Sequence, residues 1–279
     1  MVHIDHDAIR ALKADFDSLG LYQSGRPFYL RHGQQAKAIP YLLAMTSLQY
    51  RFWEGEGSTF RRYSHEGLVG APAMTLGFDR AWGARSSPGS GILACCTSTV
   101  EVVAYFGAIP DPSSRAAMLF DVLMSPRLGE VTGRLDELLV SGAVGVDAAE
   151  LIADAFPTAF GDTFLKKAQL ALILMVAEYR ANGIWVEEDL FAFADYQVPN
   201  VLRHLGVLVY APDLAELVDG RRLITHGSPA ELSIRAAAVL ACDEIAKCFG
   251  VGASLVDGWL WRQRHLPESP FHLTVTTAY

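Results

Sequence analysis

Apolar positions recur three and four residues apart over most of this chain, which is the spacing of one helix face. That pattern predicts helices over Asp5–Leu19, Ile39–Tyr50, Met74–Gly83, Ile92–Phe106, Ser114–Leu123, Gly129–Ser141 and Asp147–Ala155. It is clearest over Phe164–Arg180, where Asp162 or Thr163 can cap the start and Asn182-Gly183 closes the end. Further helices are predicted from Pro199 to about Gly206, over Ala230–Phe249 and over Ser254–Arg264. Glu54–Ser58, Ser86–Gly91 and Pro110–Ser114 carry turn chemistry. The β-branched run Val207–Tyr210 and the alternating tail His272–Tyr279 are the candidate strands. No repeat, low-complexity tract or long linker divides the chain. The expected architecture is mainly α, a single helical domain over residues 1–279 with a few short strands.

Composition narrows the partners. A formal net charge of −8 over 279 residues does not match the basic surface of a protein that grips duplex phosphates. A small-molecule partner is expected, with no stable nucleic-acid complex. Cys95, Cys96, Cys242 and Cys248 form no C-x-x-C pair, so a zinc site is unsupported, and reduced, buried thiols are expected. The polar start Met1–Asp7 does not resemble a signal peptide, and the apolar run Gln169–Val176 is too short to span a bilayer. A soluble, cytoplasmic protein with no membrane association is the expectation. Oligomeric state is not legible.

One segment concentrates the chemistry: Phe193-Ala194-Asp195-Tyr196-Gln197-Val198-Pro199-Asn200. Proline suits the first helical position, because its missing N–H has no partner there. Asp195 then falls just upstream of a helix N-terminus, where partial positive charge favours an ionised carboxylate. An Asp in that place usually serves as a cap. A fixed carboxylate beside aromatic rings also suits catalysis that must stabilise a sugar cation.

The segment resembles the Phe-Ala-Asp-Tyr-Arg-Val-Pro-Gln signature of the queuosine salvage family, the queuosine 5'-phosphate N-glycosylase/hydrolases. Phe164-Leu165-Lys166-Lys167-Ala168-Gln169 resembles that family's Phe-Tyr-Lys-Arg-Ala-Gln. Val256-Asp257-Gly258-Trp259-Leu260-Trp261 resembles its Leu-Asp-Tyr-Tyr-Leu-Trp, although Arg262 stands where relatives often carry Asp. His226–Arg235 resembles Tyr-Gly-x-x-x-Glu-Val-Glu-Ile-Arg, and Pro270-Phe271-His272 resembles Pro-Phe-His. Phe52-Trp53 matches the end of Asn-Phe-Cys-Phe-Trp, but Leu48-Gln49-Tyr50-Arg51 departs from it. The resemblance is good from about Phe160 onward, weaker over Tyr41–Trp53 and nearly absent between Ser58 and Pro157.

The resemblance implies hydrolysis of the N-glycosidic bond of queuosine 5'-phosphate, with release of queuine and no metal or redox cofactor. It implies a fold similar to helix-hairpin-helix DNA glycosylases. Asp195 is then the group that stabilises the cationic ribose, with Phe193 and Tyr196 framing base and sugar. Lys166 shares a helix face with Gln169, Leu170 and Ile173. It either snorkels to solvent or sits buried near Asp195, holding it ionised or meeting a phosphate. His272 is a second phosphate candidate, or satisfies the last turn. Phe52 and Trp53 either stack a base or belong to the core. His32, Val256 and Asp257 complete the substrate-binding set, Asp257 as ligand for the aminomethyl cation or as assistant to base departure. Glu231 and Arg235 read as an i,i+4 helix pair of about 0.3–0.5 kcal/mol. Two other readings stay open: a base-excision glycosylase acting on DNA, and a non-catalytic binding protein for queuine or a nucleotide.

Overall fold

A computed structural model describes residues 1–16, 35–83 and 90–279. Among them are fourteen α-helices and eight strands of two or three residues, so the mainly helical expectation holds. The strands pair only in twos: Val2–Ile4 with Leu208–Tyr210, Trp53–Glu54 with Arg61–Arg62, Ser64–His65 with Leu68–Val69, and, in parallel, Ala143–Gly145 with Glu187–Asp189. No helix among the described residues is long and apolar enough to cross a membrane.

Two helices form the axis of the larger core. Ala38–Ser47 buries every residue but Pro40, and Lys166–Ala181 buries twelve side chains. A helix apolar on all sides has to be surrounded, and helices from Ala71 to Phe160 supply that surround. A second core joins Ile9, the helices Gln197–His204 and Pro229–Phe249, and the apolar face of Ala253–Arg262. A smaller aromatic cluster of Trp53, Tyr196, Phe271 and Tyr279 lies apart from both.

Several elements differ from the periodicity, each for a local reason. Asp5 caps the first helix through Asp7 and Ala8, but the helix ends at Ala11. Leu12 turns extended there, and Phe16 meets Phe249 and Trp259. Ile92–Phe106 divides into Ser90–Cys95 and Thr99–Phe106, because Ser98 turns extended and caps the second piece through Glu101. The loop expected at Ser86–Gly91 lies mostly outside the described residues, and Ser90 and Gly91 are helical. The tail His272–Tyr279 is not a strand. Phe271 through Thr274 are buried one after another, so both faces are enclosed and no alternation survives; only Leu273 makes a bridge, to Leu223. Three cysteines are buried, but Cys248 is exposed.

Candidate active site

Asp195 does two things with two oxygens. The helix after it begins at Gln197, two residues before Pro199. Pro199 is therefore third rather than first in the helix, a position whose N–H still has no intrahelical partner. Asp195 Oδ1 accepts from the Gln197 N–H at 2.7 Å and the Val198 N–H at 3.0 Å. The capping reading is thus correct for one oxygen. Oδ2 takes neither bond, and the side chain, 8% exposed, lines a cavity of about 760 Å³.

The backbone at Asp195 is held from behind. Arg235 Nε donates to the Ala194 carbonyl at 2.8 Å, and its two terminal nitrogens donate to the Asp162 carboxylate at 2.8 and 2.7 Å. Asp162 Oδ2 also accepts from the Lys166 N–H at 3.1 Å, where Leu165 takes left-handed backbone angles to start the helix. One buried bidentate pair therefore joins the start of the Lys166 helix to the peptide before Asp195. The i,i+4 pair of Arg235 with Glu231 is present, but it is buried, and the closer partner of Arg235 is Asp162. Glu231 lies 3.6 Å from Arg235, both side chains are buried, and Glu231 accepts from the Gly227 N–H.

Lys166 does not snorkel. It is 7% exposed, lines the cavity, and its Nζ donates to the Gln49 carbonyl at 3.1 Å. Burial lowers its pKa, while the charges of Asp195 and Asp257 pull it back up. Asp257 Oδ1 accepts from the Phe193 N–H at 2.8 Å. Its pKa is pushed well above the carboxylate range by burial and then by Asp195. Asp257 is thus biased towards the neutral acid, a donor, beside Asp195.

Donors from two helices fix the wall opposite. Five successive carbonyls accept from buried cations: Ser47 from Lys167, Gln49 from Lys166, and Leu48, Tyr50 and Arg51 from Arg115. The Arg115 guanidinium also lies 4.1 Å from the Tyr50 ring centroid. This clamp sets Gln49, Tyr50 and Phe52 into the cavity lining. Tyr50, buried with its hydroxyl unpartnered, has its pKa pushed up to about 12 by burial.

The cavity therefore gathers Asp195, Lys166, Asp257, Phe52, Phe193 and Tyr196 from the sequence-predicted set. It does not gather the rest. Trp53 packs beside Phe60 outside the lining, and Val256 is fully buried in the second core. His272 is 1% exposed behind Tyr279, whose hydroxyl lies 3.2 Å from its Nε2. Burial and the Arg235 charge press its pKa down to about 3, so it is a neutral packing group away from the cavity. His32 lies outside the described residues. Arg262 is exposed and does not line the cavity.

Sequence reasoning missed several lining residues. Trp261 stands four residues after Asp257 and shares its helix face, a signal already inside the quoted motif. Arg62, Arg264 and His265 bring positive or titratable groups to the lining; Arg62 lies 5.5 Å from the Phe271 ring centroid and Arg264 lies 3.5 Å from that of Trp261. Tyr41 and Asp79 line it from helices that read as plain core.

The queuosine salvage protein family model matches residues 161–279. The chain is 29% identical to a queuosine 5'-phosphate N-glycosylase/hydrolase of Sphaerobacter thermophilus, over 100% of this chain and 93% of that relative. It is 33% identical to one of Dictyostelium discoideum, over 42% of this chain and 40% of the relative. With one of Schizosaccharomyces pombe it shares 30% identity over 35% of this chain and 30% of the relative.

Proposed function

We infer that this chain, as a member of the queuosine salvage family, hydrolyses the N-glycosidic bond of queuosine 5'-phosphate and releases queuine. The observation that carries this reading is the pair of unlike acids in one cavity. Asp195 lines the cavity with one oxygen fixed by two N–H donors and the other taking neither bond, and Asp257 is biased towards its protonated form. Breaking an N-glycosidic bond needs negative charge near the ribose and a proton for the base.

The bond between C1' and the base nitrogen breaks with its electron pair going to the base. Position 7 of that base is carbon, so protonation there is closed. Asp257 supplies the proton elsewhere on the base, which leaves neutral. Asp195 Oδ2 stabilises the cationic ribose and takes a proton from the water whose oxygen bonds to C1'. Lys166, tied to the Gln49 carbonyl beside both acids, offsets the charge of Asp195 and the charge that Asp257 gains on giving up its proton. Phe193 and Tyr196 frame base and sugar. The phosphate meets the cationic part of the lining, Arg62 and Arg264, rather than His272.

Purified protein is incubated with queuosine 5'-phosphate, queuosine and queuosine 3'-phosphate, and free queuine is followed by mass. The 5'-phosphate is expected to be cleaved fastest. Asp195→Asn is expected to lower turnover at least about a hundredfold, the effect of removing one central electrostatic group, with binding retained. Turnover within threefold of wild type refutes the role of Asp195. Cleavage of a lesion-bearing duplex without queuine release selects the DNA glycosylase reading instead.

A further inference from the structure

Three helices line the cavity with side chains spaced four apart, so each row runs along its helix axis. The rows are Tyr41 and Met45, with Gln49 two residues past the end of their helix; Lys166, Leu170 and Leu174; and Ala71, Thr75 and Asp79. Lys166 bonds the Gln49 carbonyl and Lys167 the Ser47 carbonyl, so the first two helices run antiparallel, with Gln49 and Lys166 at one end. Leu174 is eight residues along its helix from Lys166, about 12 Å away at about 1.5 Å per residue, and Tyr41 lies towards the same far end. Asp79 stands at that far end, because the Tyr41 hydroxyl donates to its Oδ1.

The Tyr41–Asp79 pair is unlike its surroundings. Tyr41 is 3% exposed and packs edge-on against Phe78 and Trp82, so its hydroxyl is fixed. Asp79 is half-buried and lines the cavity. The neighbouring side chains of His65 and Arg80 lie against Glu66 instead. Burial raises the pKa of Asp79 and the Tyr41 hydroxyl holds it down. An acid held in position, without a basic partner among the described residues, at the end of a largely apolar groove is a recognition element for a donor-rich or cationic group.

We propose that Tyr41 and Asp79 form the subsite for the cationic, hydroxylated side chain on position 7 of the base. This rests on the hydrolase reading and gives its substrate a direction: ribose at Asp195, base along the groove, ammonium and hydroxyls at Asp79. The far end of the groove suits that side chain better than Asp257 does. Asp257 lies beside Asp195 and Lys166, so a ligand cation placed there would crowd the ammonium and the reacting bond rather than reach beyond the base.

The test compares queuosine 5'-phosphate with 7-deazaguanosine 5'-phosphate, which lacks the side chain, in wild type, Asp79→Asn and Tyr41→Phe. Asp79→Asn keeps the size and the acceptor for Tyr41. It is expected to lower kcat/KM for the queuosine nucleotide about tenfold or more, the usual consequence of losing a charged hydrogen-bond partner. The plain nucleotide should change less than about twofold. Tyr41→Phe should give a smaller loss with the same substrate dependence. Equal losses on both nucleotides, or no loss on the queuosine nucleotide, overturn the proposal. If wild type cleaves neither nucleotide, the hydrolase reading fails by itself. Calorimetry of queuine against 7-deazaguanine then decides the subsite: a preference for queuine that Asp79→Asn abolishes supports it, and equal affinities in wild type overturn it.

Discussion

The two ends of the cavity are built by opposite means. At the reactive end, Asp195, Lys166 and Asp257 are held by buried polar bonds: Arg235 to the Ala194 carbonyl and to Asp162, Asp162 to the Lys166 N–H, and Asp257 to the Phe193 N–H. At the far end, one acid bonded to the Tyr41 hydroxyl stands on largely apolar helix rows. Charges must be fixed to fractions of an ångström where bonds break, and a network of buried donors does that. Where a base only lies along a groove, helix spacing sets the shape, and one polar pair sets the direction. Turnover should therefore depend on the first end and substrate choice on the second.

The largest effect that tests this division is expected at Arg235. Arg235→Met leaves Asp162 charged and buried without its partner, which typically costs about 3–5 kcal/mol. Urea unfolding should show it, and adding Asp162→Leu should recover much of the loss. If the double variant stays as unstable as the single one, the pair is not what holds this end.

Arg115 tests the wall between the two ends. It donates to the carbonyls of Leu48, Tyr50, Arg51 and Pro110 and is fully buried. Arg115→Met strands those acceptors, an expected loss of about 2–3 kcal/mol. The kinetic prediction belongs to the gentler Arg115→Lys. It moves Gln49–Phe52 without touching Asp195, so KM should rise several-fold while kcat stays near wild type. A fall in kcat at constant KM places the wall with the reactive end.

His272 gives a pH-dependent version. Burial and the Arg235 charge hold its folded pKa at about 3, against an ordinary value of 6.5. Between those values the unfolded chain takes up a proton that the folded chain refuses, so stability falls as pH drops from about 6.5 and is unaffected above it. The slope from this one group is at most about 1.4 kcal/mol per pH unit. Denaturant midpoints of wild type and His272→Gln, measured from pH 7 to 4, should diverge by that slope; parallel curves exclude burial of a neutral imidazole behind Tyr279.

The same contrast explains what the sequence made legible. Asp195 could be placed in the cavity because its setting is local: an acid, two aromatic neighbours and a helix start stand in one short segment. Lys166 and Asp257 could be found through similar motifs. Arg235 was read only in part, because spacing along its own helix shows Glu231 and cannot show Asp162, 73 residues away. Tyr41 and Asp79 gave no signal, since a polar residue inside an apolar stripe looks like a core position until a second helix faces it. His272 and Trp53 were named because they matched motifs, but a motif match does not say whether a side chain lines the cavity or supports it from behind. The failure at the tail has a plain cause: alternation predicts a strand only when one face is open to water.

The smallest effect separates burial from chemistry. Arg203 and Asp219 make a second bidentate pair between elements, at 2.7 and 2.9 Å, in the same half of the chain as Arg235 and Asp162. Its side chains are 19% and 48% exposed, against 1% and 2% for the buried pair. Water already solvates the outer partner, so Arg203→Met strands no buried charge and should cost less than about 1 kcal/mol. High salt should shrink that further, since an exposed pair is screened and a buried one is not. Unfolding of both arginine variants at low and high salt therefore measures what the reactive end gains from enclosure. If Arg203→Met costs as much as Arg235→Met, the bidentate geometry alone accounts for the rigidity at Asp195, and the polar network has no special place there.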